Sequence, residues 1–403
     1  MIRISRRAAL AGAGAALAAP ATIRAQSAPV KVGVILPTSG VLAVPGQASR
    51  RGIDLAARML AEAGGPRLEI HHADTASRSE NGRVAAERLI REGCTVLIGA
   101  WDSGTTISAA QAAEAARVPL MVNIASAPQV TEQGFSMVFR NFTPANQLIT
   151  NAVERIRELG QIVGEMPRTA VLLHVNDTFG TAIAQAVAAL WTRLGIPIQI
   201  VETLSYAVTA RDLSAEVARA KATNAELLMP VTRVNDAILI VREMVRQDYV
   251  PKAIIGPGSP GPYEKAFTDA VGRFGDEYMV CVPWHNPRNP RTPAVLQRFA
   301  REYPNERFEL NVGFSFEAVE IVADAVRRAG SGDPAAIHAA LRTTDIADHI
   351  MYGGPIRFDE KGQNPNIGGV MLQNQGQEPK VVGPSAIAEA RAIYPLTPFR
   401  NRR

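Results

Sequence analysis

The chain has 403 residues, more than one ordinary hydrophobic core supports, so its length predicts at least two domains. Hydrophobic residues make up 47% of it and charged residues 20%, a composition with which both domains can fold. The formal net charge of +5 comes mostly from four arginines in the first 25 residues, so it gives no reason to expect nucleic-acid binding.

The first residues, MIRISRRAALAGAGAALAAPATIRA, predict an export signal that is cleaved near Ala25. They combine a basic start with an apolar stretch and a small residue at the cleavage position. The segment SRRAAL resembles a twin-arginine signal, but Ala9 replaces the bulkier residue usual at that place, so the general secretory route stays open. No later stretch reaches the roughly 20 apolar residues that a membrane span needs. We therefore expect an exported, soluble protein.

Short apolar runs alternate with longer amphipathic runs from Val30 nearly to the end, the pattern of a parallel α/β fold. A first series predicts strands at KVGVIL, LEIHHAD, TVLIG and VPLMVN, with helices over 47–63, 84–92 and 105–116. A second series predicts strands at TAVLLHV, IPIQIVETL, ELLMPV, KAIIG and EYMVCVPW, with helices over 182–194 and 236–247. The proline-rich segment HNPRNPRTP then leads into three helices and two short strands. The sequence thus predicts two doubly wound parallel-sheet lobes joined by a hinge that the chain crosses more than once.

Each predicted lobe is discontinuous in sequence. The first takes 28–143 and 286–355, the second takes 144–285 and 356–392, and 393–403 form a tail. In sheets of this kind, ligands bind beyond the carboxyl ends of the strands, where loops meet helix N termini. We therefore expect a ligand site among the loops LPTSGVLAVPG, GAWDSGTT, NIASAP, VNDTFG, PVTRVND and IIGPGSPGPYE.

The loop IIGPGSPGPYE has the order G-x-G-x-x-G after an apolar run, which is also the pattern of a dinucleotide-binding turn. Such a turn holds a pyrophosphate with backbone N–H groups, and Asp276 lies about where the ribose-binding acid would follow. However, Pro257, Pro260 and Pro262 remove donors that the phosphate needs. A stiff connecting loop is the better interpretation.

Other enzyme and metal patterns are also weak. The segment DSGT resembles the loop of aspartic proteases, but that chemistry needs two such loops and the chain has one. His71 and His72 point to opposite faces of a strand, and the remaining histidines show no ligand spacing. Cys94 and Cys281 are expected to be separate buried thiols rather than a disulfide. We expect no catalytic residue, no metal and no cofactor.

The segment GAWDSGTT offers a binding function instead. A strand that ends near Gly99, a polar turn and a helix that starts near Gly104 would aim the Ser103 hydroxyl and free N–H groups at one point. A carboxylate suits that point. An equally good interpretation of the residues alone is that Ser103 only caps its own helix.

Six segments in order resemble the periplasmic solute-binding proteins of branched-chain amino-acid ABC importers, the Leu/Ile/Val-binding family. They are VKVGVILPTSG, AAERLIREGCTVLIGAWDSGTT, ARVPLMVNIASAPQVTE, VFRNFTPANQ, VNDTFG and GGPIRFDEKGQN. The resemblance implies a type I periplasmic-binding-protein fold and a binding protein that is not an enzyme. It also implies a small-molecule ligand and a membrane permease as partners, a monomer, and no nucleic acid.

The resemblance also implies a set of ligand-binding residues. The Ser103 hydroxyl and the Gly104 N–H would hold the ligand carboxylate, together with the backbone of Ala125 and the hydroxyl of Ser126. Trp101 would line the side-chain pocket, Phe179 stands where the family commonly has a tyrosine, and Arg233 lies near another such tyrosine position. For Trp101 and Phe179 ordinary packing stays an alternative, and for Arg233 a solvated or lobe-bridging salt link does.

In amino-acid binders of the family, the loop matching IIGPGSPGPYE carries an acid for the ligand's α-ammonium. Here Pro257, Gly258 and Ser259 occupy that stretch, with Ser259 as a candidate contact, and the nearest acid, Glu264, lies at a predicted helix start. A plain amino acid is therefore expected to bind about a hundredfold more weakly. The predicted ligand is an aromatic or aliphatic organic acid, or a diacid if Arg233 faces the cleft. A branched-chain amino-acid binder and a ligand sensor for a membrane receptor stay as alternatives.

Overall fold

The structure is a computed structural model that describes residues 28–402. The predicted export signal lies outside the described residues. Two α/β lobes are present, each built on its own mainly or wholly parallel sheet, and the chain passes between them more than once. The predicted fold class is therefore confirmed.

The first lobe is built on a five-stranded sheet in the order β2-β1-β3-β4-β5, in which every neighbouring pair is parallel. Its central strands are nearly continuous apolar runs because helices cover both faces of the sheet. The strands are β1 (Val30–Leu36), β2 (Leu68–Asp74), β3 (Val96–Gly99), β4 (Leu120–Val122) and β5 (Val138–Arg140). The helices are α1 (Ala43–Glu62), α2 (Asn81–Arg91), α3 (Ser103–Ala116) and the short α4 (Gln129–Glu132).

The second lobe is built on a seven-stranded sheet in the order β12-β11-β10-β9-β8-β6-β7. Strands β6 to β10 are parallel, and β11 and β12 add an antiparallel edge. The strands are β6 (Thr169–Val175), β7 (Gln199–Tyr206), β8 (Leu227–Val231), β9 (Ala253–Pro257), β10 (Met279–Val282), β11 (Val370–Gln375) and β12 (Glu378–Gly383). The helices are α5 (Ala145–Val163), α6 (Thr178–Leu190), α7 (Ser214–Ala222), α8 (Val234–Arg246) and α9 (Lys265–Val271).

Three further helices follow β10 and return to the first lobe: α10 (Thr292–Glu302), α11 (Leu310–Ala329) and α12 (Pro334–Arg342). Helix α11 packs along α1, and α12 packs on α11. Ion pairs from Arg58 to Glu302 and from Arg298 to Glu62 tie α10 to α1. Because β11 then pairs with β10, the chain crosses between the lobes three times: after β5, after β10 and after α12.

The structure confirms each predicted strand, but the helices begin earlier than predicted. Helix α6 starts at Thr178 rather than Ala182 because the side chain of Asp177 accepts a bond from the Gly180 N–H and caps the helix. Strand β5 was not among the predicted strands, since its three residues are too few to show a periodicity. The residue boundaries of the lobes stay a prediction.

The two cysteines are free and buried, one in each lobe, which confirms that they are separate thiols. Burial raises the pKa of the Cys94 thiol to about 11 and that of Cys281 to about 12, so both stay protonated and unreactive near neutral pH. Within residues 28–402, no helix is long and apolar enough to cross a bilayer. No group of three or more His, Cys, Asp or Glu residues in that range is placed to hold a metal ion.

Candidate ligand-binding site

A cavity with an empty volume of about 460 Å³ lies between the lobes, at the carboxyl ends of strands from both sheets. The first lobe and the crossing after β5 contribute Trp101, Asp102, Ser103, Ile124, Ala125, Ser126, Phe142, Leu310 and Asn311. The second lobe and the crossing after β10 contribute Leu148, Phe179, Arg233, Gly258, Pro260, Tyr263, Val282 and Pro283.

The N terminus of α3 forms one corner of the cavity. Asp102 is the N-cap, with extended backbone angles, and its Oδ1 accepts a bond from the Thr105 N–H at 3.1 Å. The interpretation that Ser103 caps the helix is therefore wrong. Ser103 is 1% exposed, and its Oγ instead accepts a bond from the Ala127 N–H at 3.2 Å. Because that bond uses only an oxygen lone pair, the Ser103 hydroxyl hydrogen is available to a ligand.

Trp101 reaches the cavity from an unusual backbone conformation. Its φ of 73° is in the left-handed region, which bulky residues seldom adopt. The indole Nε1 donates to the Asn311 Oδ1 at 2.8 Å, so the ring is held against the start of α11. Trp101 thus both packs in the first lobe and lines the cavity.

A buried arginine supports the loop that follows β4. Arg140, at the end of β5, donates through Nη1 to the carbonyl oxygens of Ala125 at 3.1 Å and Ala127 at 2.8 Å. Its Nε donates to the Gln363 side chain, which belongs to the crossing after α12. Burial lowers the pKa of Arg140 to about 9, which still leaves it charged at neutral pH. These bonds fix Ser126, whose buried Oγ has no partner among the described residues.

Arg233 forms the opposite wall with the two aromatic residues predicted beside it. Its guanidinium lies 5.6 Å from the ring centre of Trp101 and 5.2 Å from that of Phe179. It forms an ion pair with Asp177 of the same lobe, and its backbone N–H donates to Asp236 Oδ1 at 2.8 Å. Arg233 is 7% exposed. Among the described residues its ion pair therefore lies within the second lobe, and its side chain is largely removed from solvent.

Two candidate residues, Gly104 and Ser259, do not line the cavity. Gly104 faces the loop before α2, since a Cβ built on it would lie 2.7 Å from Ser79 Oγ. The Ser259 hydroxyl points into the second lobe, where it accepts a bond from the Thr232 N–H at 2.9 Å. Gly258, Pro260 and Tyr263 take the cavity side of that loop. The loop therefore brings no acid to the cavity.

Three polar residues beside the cavity were missed by the sequence analysis: Asp102, Asp177 and Asn311. The available signal was the position of both aspartates between a strand and a helix, where Asp is a preferred N-cap. Asp102 also supplies an acid that the sequence-based ligand preference did not weigh. Burial raises its pKa, although the bond from Thr105 and the nearby Arg233 act in the opposite direction.

Comparison with known proteins gives the family. A family model described as periplasmic binding protein matches residues 29–375. A Leu/Ile/Val-binding protein homolog 7 from Brucella abortus is 27% identical over 385 residues, which cover 92% of this chain and 95% of the relative. A Leu/Ile/Val-binding protein homolog 8 from Brucella suis is 26% identical and covers 94% of this chain and 96% of its own length.

Two solved structures show the same fold. The branched-chain amino-acid binding protein LivJ from Streptococcus pneumoniae, in complex with isoleucine, has a TM-score of 0.76 at 20% identity over 91% of this chain and 100% of its own. An ABC-transporter solute-binding protein from R. palustris, in complex with benzoate, has a TM-score of 0.76 at 20% identity over 91% and 99%. The resemblance found in the sequence is thus confirmed. The chain belongs to the periplasmic binding protein family, whose members are substrate-binding components of transporters and not enzymes.

Proposed function

We propose that the chain is the extracytoplasmic substrate-binding component of an ABC importer and captures a small carboxylate-bearing solute with an apolar body. One observation carries this proposal: Ser103 and Ser126 line the same cavity between two lobes, and the N–H of Ala127, next to Ser126, donates to Ser103 Oγ. Ser103 keeps its hydrogen for a ligand, and Ser126 Oγ has no other partner among the described residues. Both can donate to the same anionic group.

The N terminus of α3 favours an anion at this corner. The helix dipole contributes about 0.3–1 kcal/mol for a negative charge at that end. A hydrogen bond to a charged group contributes about 1.5–3 kcal/mol, so the two hydroxyls outweigh the dipole. Because Arg140 and the α3 cap hold both serines in place without a ligand, little ordering is needed on binding.

The rest of the cavity suits an apolar body with no second charge. Trp101, Phe179 and Tyr263 are among its lining residues. Arg233 is the basic residue of the lining, but Asp177 already neutralises it. A second carboxylate would therefore gain little there, and we propose a monocarboxylate rather than a diacid. Benzoate, the ligand of one solved neighbour, combines one carboxylate with an apolar body, whereas isoleucine, the ligand of the other, adds an α-ammonium.

Capture requires the lobes to move. The cavity walls come from both lobes, so a ligand can enter only when rotation about the three crossings opens the gap. The closed form would then dock, as a monomer, on an inner-membrane permease after export to the periplasm. No bond is made or broken in this function.

Titration calorimetry tests the carboxylate corner. With benzoate, 4-methylpentanoate and leucine as the first panel, Ser103→Ala is expected to raise the Kd of the tightest ligand roughly 10- to 100-fold, because a hydrogen bond to its carboxylate is lost. Ser108→Ala is the matched control, since Ser108 lies on the same helix and accepts an equivalent bond from the Arg83 N–H at 3.1 Å outside the cavity. Equal Kd values in the wild type and Ser103→Ala would refute the assignment.

An amino acid is the second candidate ligand, and Asp102 is the observation that favours it. Its Oδ2 is buried and has no partner among the described residues. Asp102 is next to Ser103, so a ligand whose carboxylate binds Ser103 would place an α-ammonium near this oxygen. Asp102 would thereby replace the acid that the loop after β9 lacks. An ammonium would also offset the excess of Asp102 and Asp177 over Arg233 at this end of the cavity.

Three ligands that share the same apolar body distinguish the two candidate ligand classes. They are leucine, 2-hydroxy-4-methylpentanoate and 4-methylpentanoate, which differ only in the substituent on the α-carbon. If Asp102 accepts a bond from the α-substituent, leucine will bind at least about tenfold more tightly than 4-methylpentanoate. Asp102→Asn, which keeps the cap of α3, will then remove most of that difference. Equal or tighter binding of 4-methylpentanoate would reject the amino-acid candidate and leave the organic acid.

A further inference from the structure

Two buried carboxyl groups lie at the boundary between the lobes, behind the ligand cavity. Glu309 immediately precedes α11 of the first lobe, and Glu264 immediately precedes α9 of the second. Their chain neighbours Leu310 and Tyr263 both line the cavity. Only 3% of Glu309 and 4% of Glu264 is exposed. Both side chains are therefore almost completely out of contact with water in this structure.

The two chain segments are in direct contact across the boundary. Arg307 Nη1 donates to the Tyr263 carbonyl oxygen at 2.9 Å and to Thr268 Oγ1 on α9 at 3.4 Å. Glu309 Oε2 accepts two bonds from Asn311, but its Oε1 has no partner among the described residues. Glu264 Oε2 has no partner there either. Each carboxyl group thus has an oxygen whose desolvation is not compensated.

The cations around the pair are bound to other acids. Arg233, which immediately precedes α8, acts on Glu264 but pairs with Asp177. Arg51 of α1 acts on Glu309 but pairs with Glu306 at 2.9 Å. The Nε of each arginine has no partner among the described residues. Arg307 pairs with Glu378 at 3.0 Å.

The remaining titratable neighbours do not compensate the negative charge of Glu264 and Glu309. Asp236 on α8 adds negative charge near Glu264, and the Tyr263 hydroxyl, close to both carboxyls, has no partner among the described residues. Burial raises the pKa of both carboxyl groups, and Glu309 raises that of Glu264 further.

We propose that closure of the lobes takes up a proton onto the Glu264–Glu309 pair, so that acid favours the closed form. This inference rests on the lobe closure of the proposed function and adds its regulation. Two carboxylates that are buried together, with the nearest arginines already paired to other acids, disfavour the doubly ionised state. Opening of the lobes would return them to water, where a carboxyl group loses its proton below neutral pH.

The direction of the effect follows from the proton count. The closed form holds a proton that the open form releases, so the closing equilibrium weakens as pH rises through the range between the open-form and closed-form pKa values. For one proton, the change is at most about tenfold per pH unit. Ligand capture, which requires closure, will weaken with pH to the same extent.

A cross-linking assay on the ligand-free protein tests this inference. In the closed form, Asn235 Nδ2 of the second lobe lies 3.3 Å from the Val41 carbonyl oxygen of the first. Cysteines introduced by Val41→Cys and Asn235→Cys report closure through their rate of cross-linking by a short bifunctional thiol reagent. The native thiols are buried and do not compete. The same cysteine pair in a Glu264→Gln/Glu309→Gln background is the control, since it has the same thiol chemistry and lacks both acids.

The cross-linking rate of the cysteine pair in the protein with Glu264 and Glu309 is divided by its rate in the double-glutamine background. This ratio is expected to rise at least about tenfold when the pH is lowered from about 8 to about 5.5. If the double-glutamine protein does not fold, Glu309→Gln alone serves as the background, and the ratio must still rise. A ratio that is constant over this range overturns the inference. Because no ligand is present, that result would not affect the carboxylate site, which Ser103→Ala tests separately.

Discussion

Arg140→Met is expected to lower the free energy of unfolding by about 3–4 kcal/mol and to abolish measurable ligand binding. Methionine keeps the apolar stem of the side chain but none of its donors. The Ala125 carbonyl oxygen, Thr131 Oγ1 and Gln363 Oε1 would lose the donor that Arg140 provides, and the Ala127 carbonyl oxygen would keep only its bond from the Val130 N–H. An unsatisfied buried polar group costs about 1–3 kcal/mol, so the loop will rearrange rather than keep them unpaired. Urea denaturation and titration calorimetry measure the two effects.

Arg83→Met provides the control for this substitution. Arg83 lies on α2 with 62% of its side chain exposed, and its ion pair with Glu87 spans one helical turn. Exposed pairs of this kind contribute about 0.3–0.5 kcal/mol. The Arg140 assignment fails if Arg140→Met unfolds and binds like Arg83→Met.

Gly180→Ala is expected to destabilise the protein by about 2–4 kcal/mol and to disturb the Arg233 wall of the cavity. A Cβ at Gly180 would lie 1.9 Å from the Val175 carbonyl oxygen, where the end of β6 meets the start of α6. Helix α6 must therefore move, and it carries Phe179 with it. The bond from the Gly180 N–H to Asp177, which also pairs with Arg233, would be strained as well.

The sign of this result makes it informative. In an unobstructed helix interior, alanine is more favourable than glycine by about 1 kcal/mol, so a stabilised Gly180→Ala variant would show that β6 and α6 do not meet as described. Gly354→Ala is the matched control, because the nearest atom to its added Cβ is at an ordinary 3.4 Å. Thermal denaturation and Kd measurements on the wild type, Gly180→Ala and Gly354→Ala test this expectation.

The fold and the general position of the site could be predicted because their signals are local. Apolar runs such as KVGVIL identify buried parallel strands, and the carboxyl ends of such strands meet in space. The loops that contain Ser103, Ser126, Phe179 and Arg233 were therefore predicted to converge, and in the structure these four residues line one cavity.

What could not be predicted depends on contacts between distant residues. Arg140 and Gln363 are 223 positions apart, and neither belongs to a recognisable motif, yet their bond supports the Ser126 loop. The orientation of Ser259 was equally hidden, because it is decided by the Thr232 N–H on a neighbouring strand end. In DSGT, both Asp and Ser are good helix caps, and only the position of the Ala127 N–H decides which of them is used.

The triple crossing restricts how this chain can be made. The first sheet is complete at Arg140, yet α11, which packs on α1 beside it, ends at Ala329. The second sheet receives its last strand only at Gly383. Neither hydrophobic core can therefore be completed until most of the chain has been translated. Proteins with contiguous domains can fold one domain after another during synthesis, but this chain cannot. A truncated chain that ends before α11 and β12 is therefore expected to contain no lobe that folds by itself.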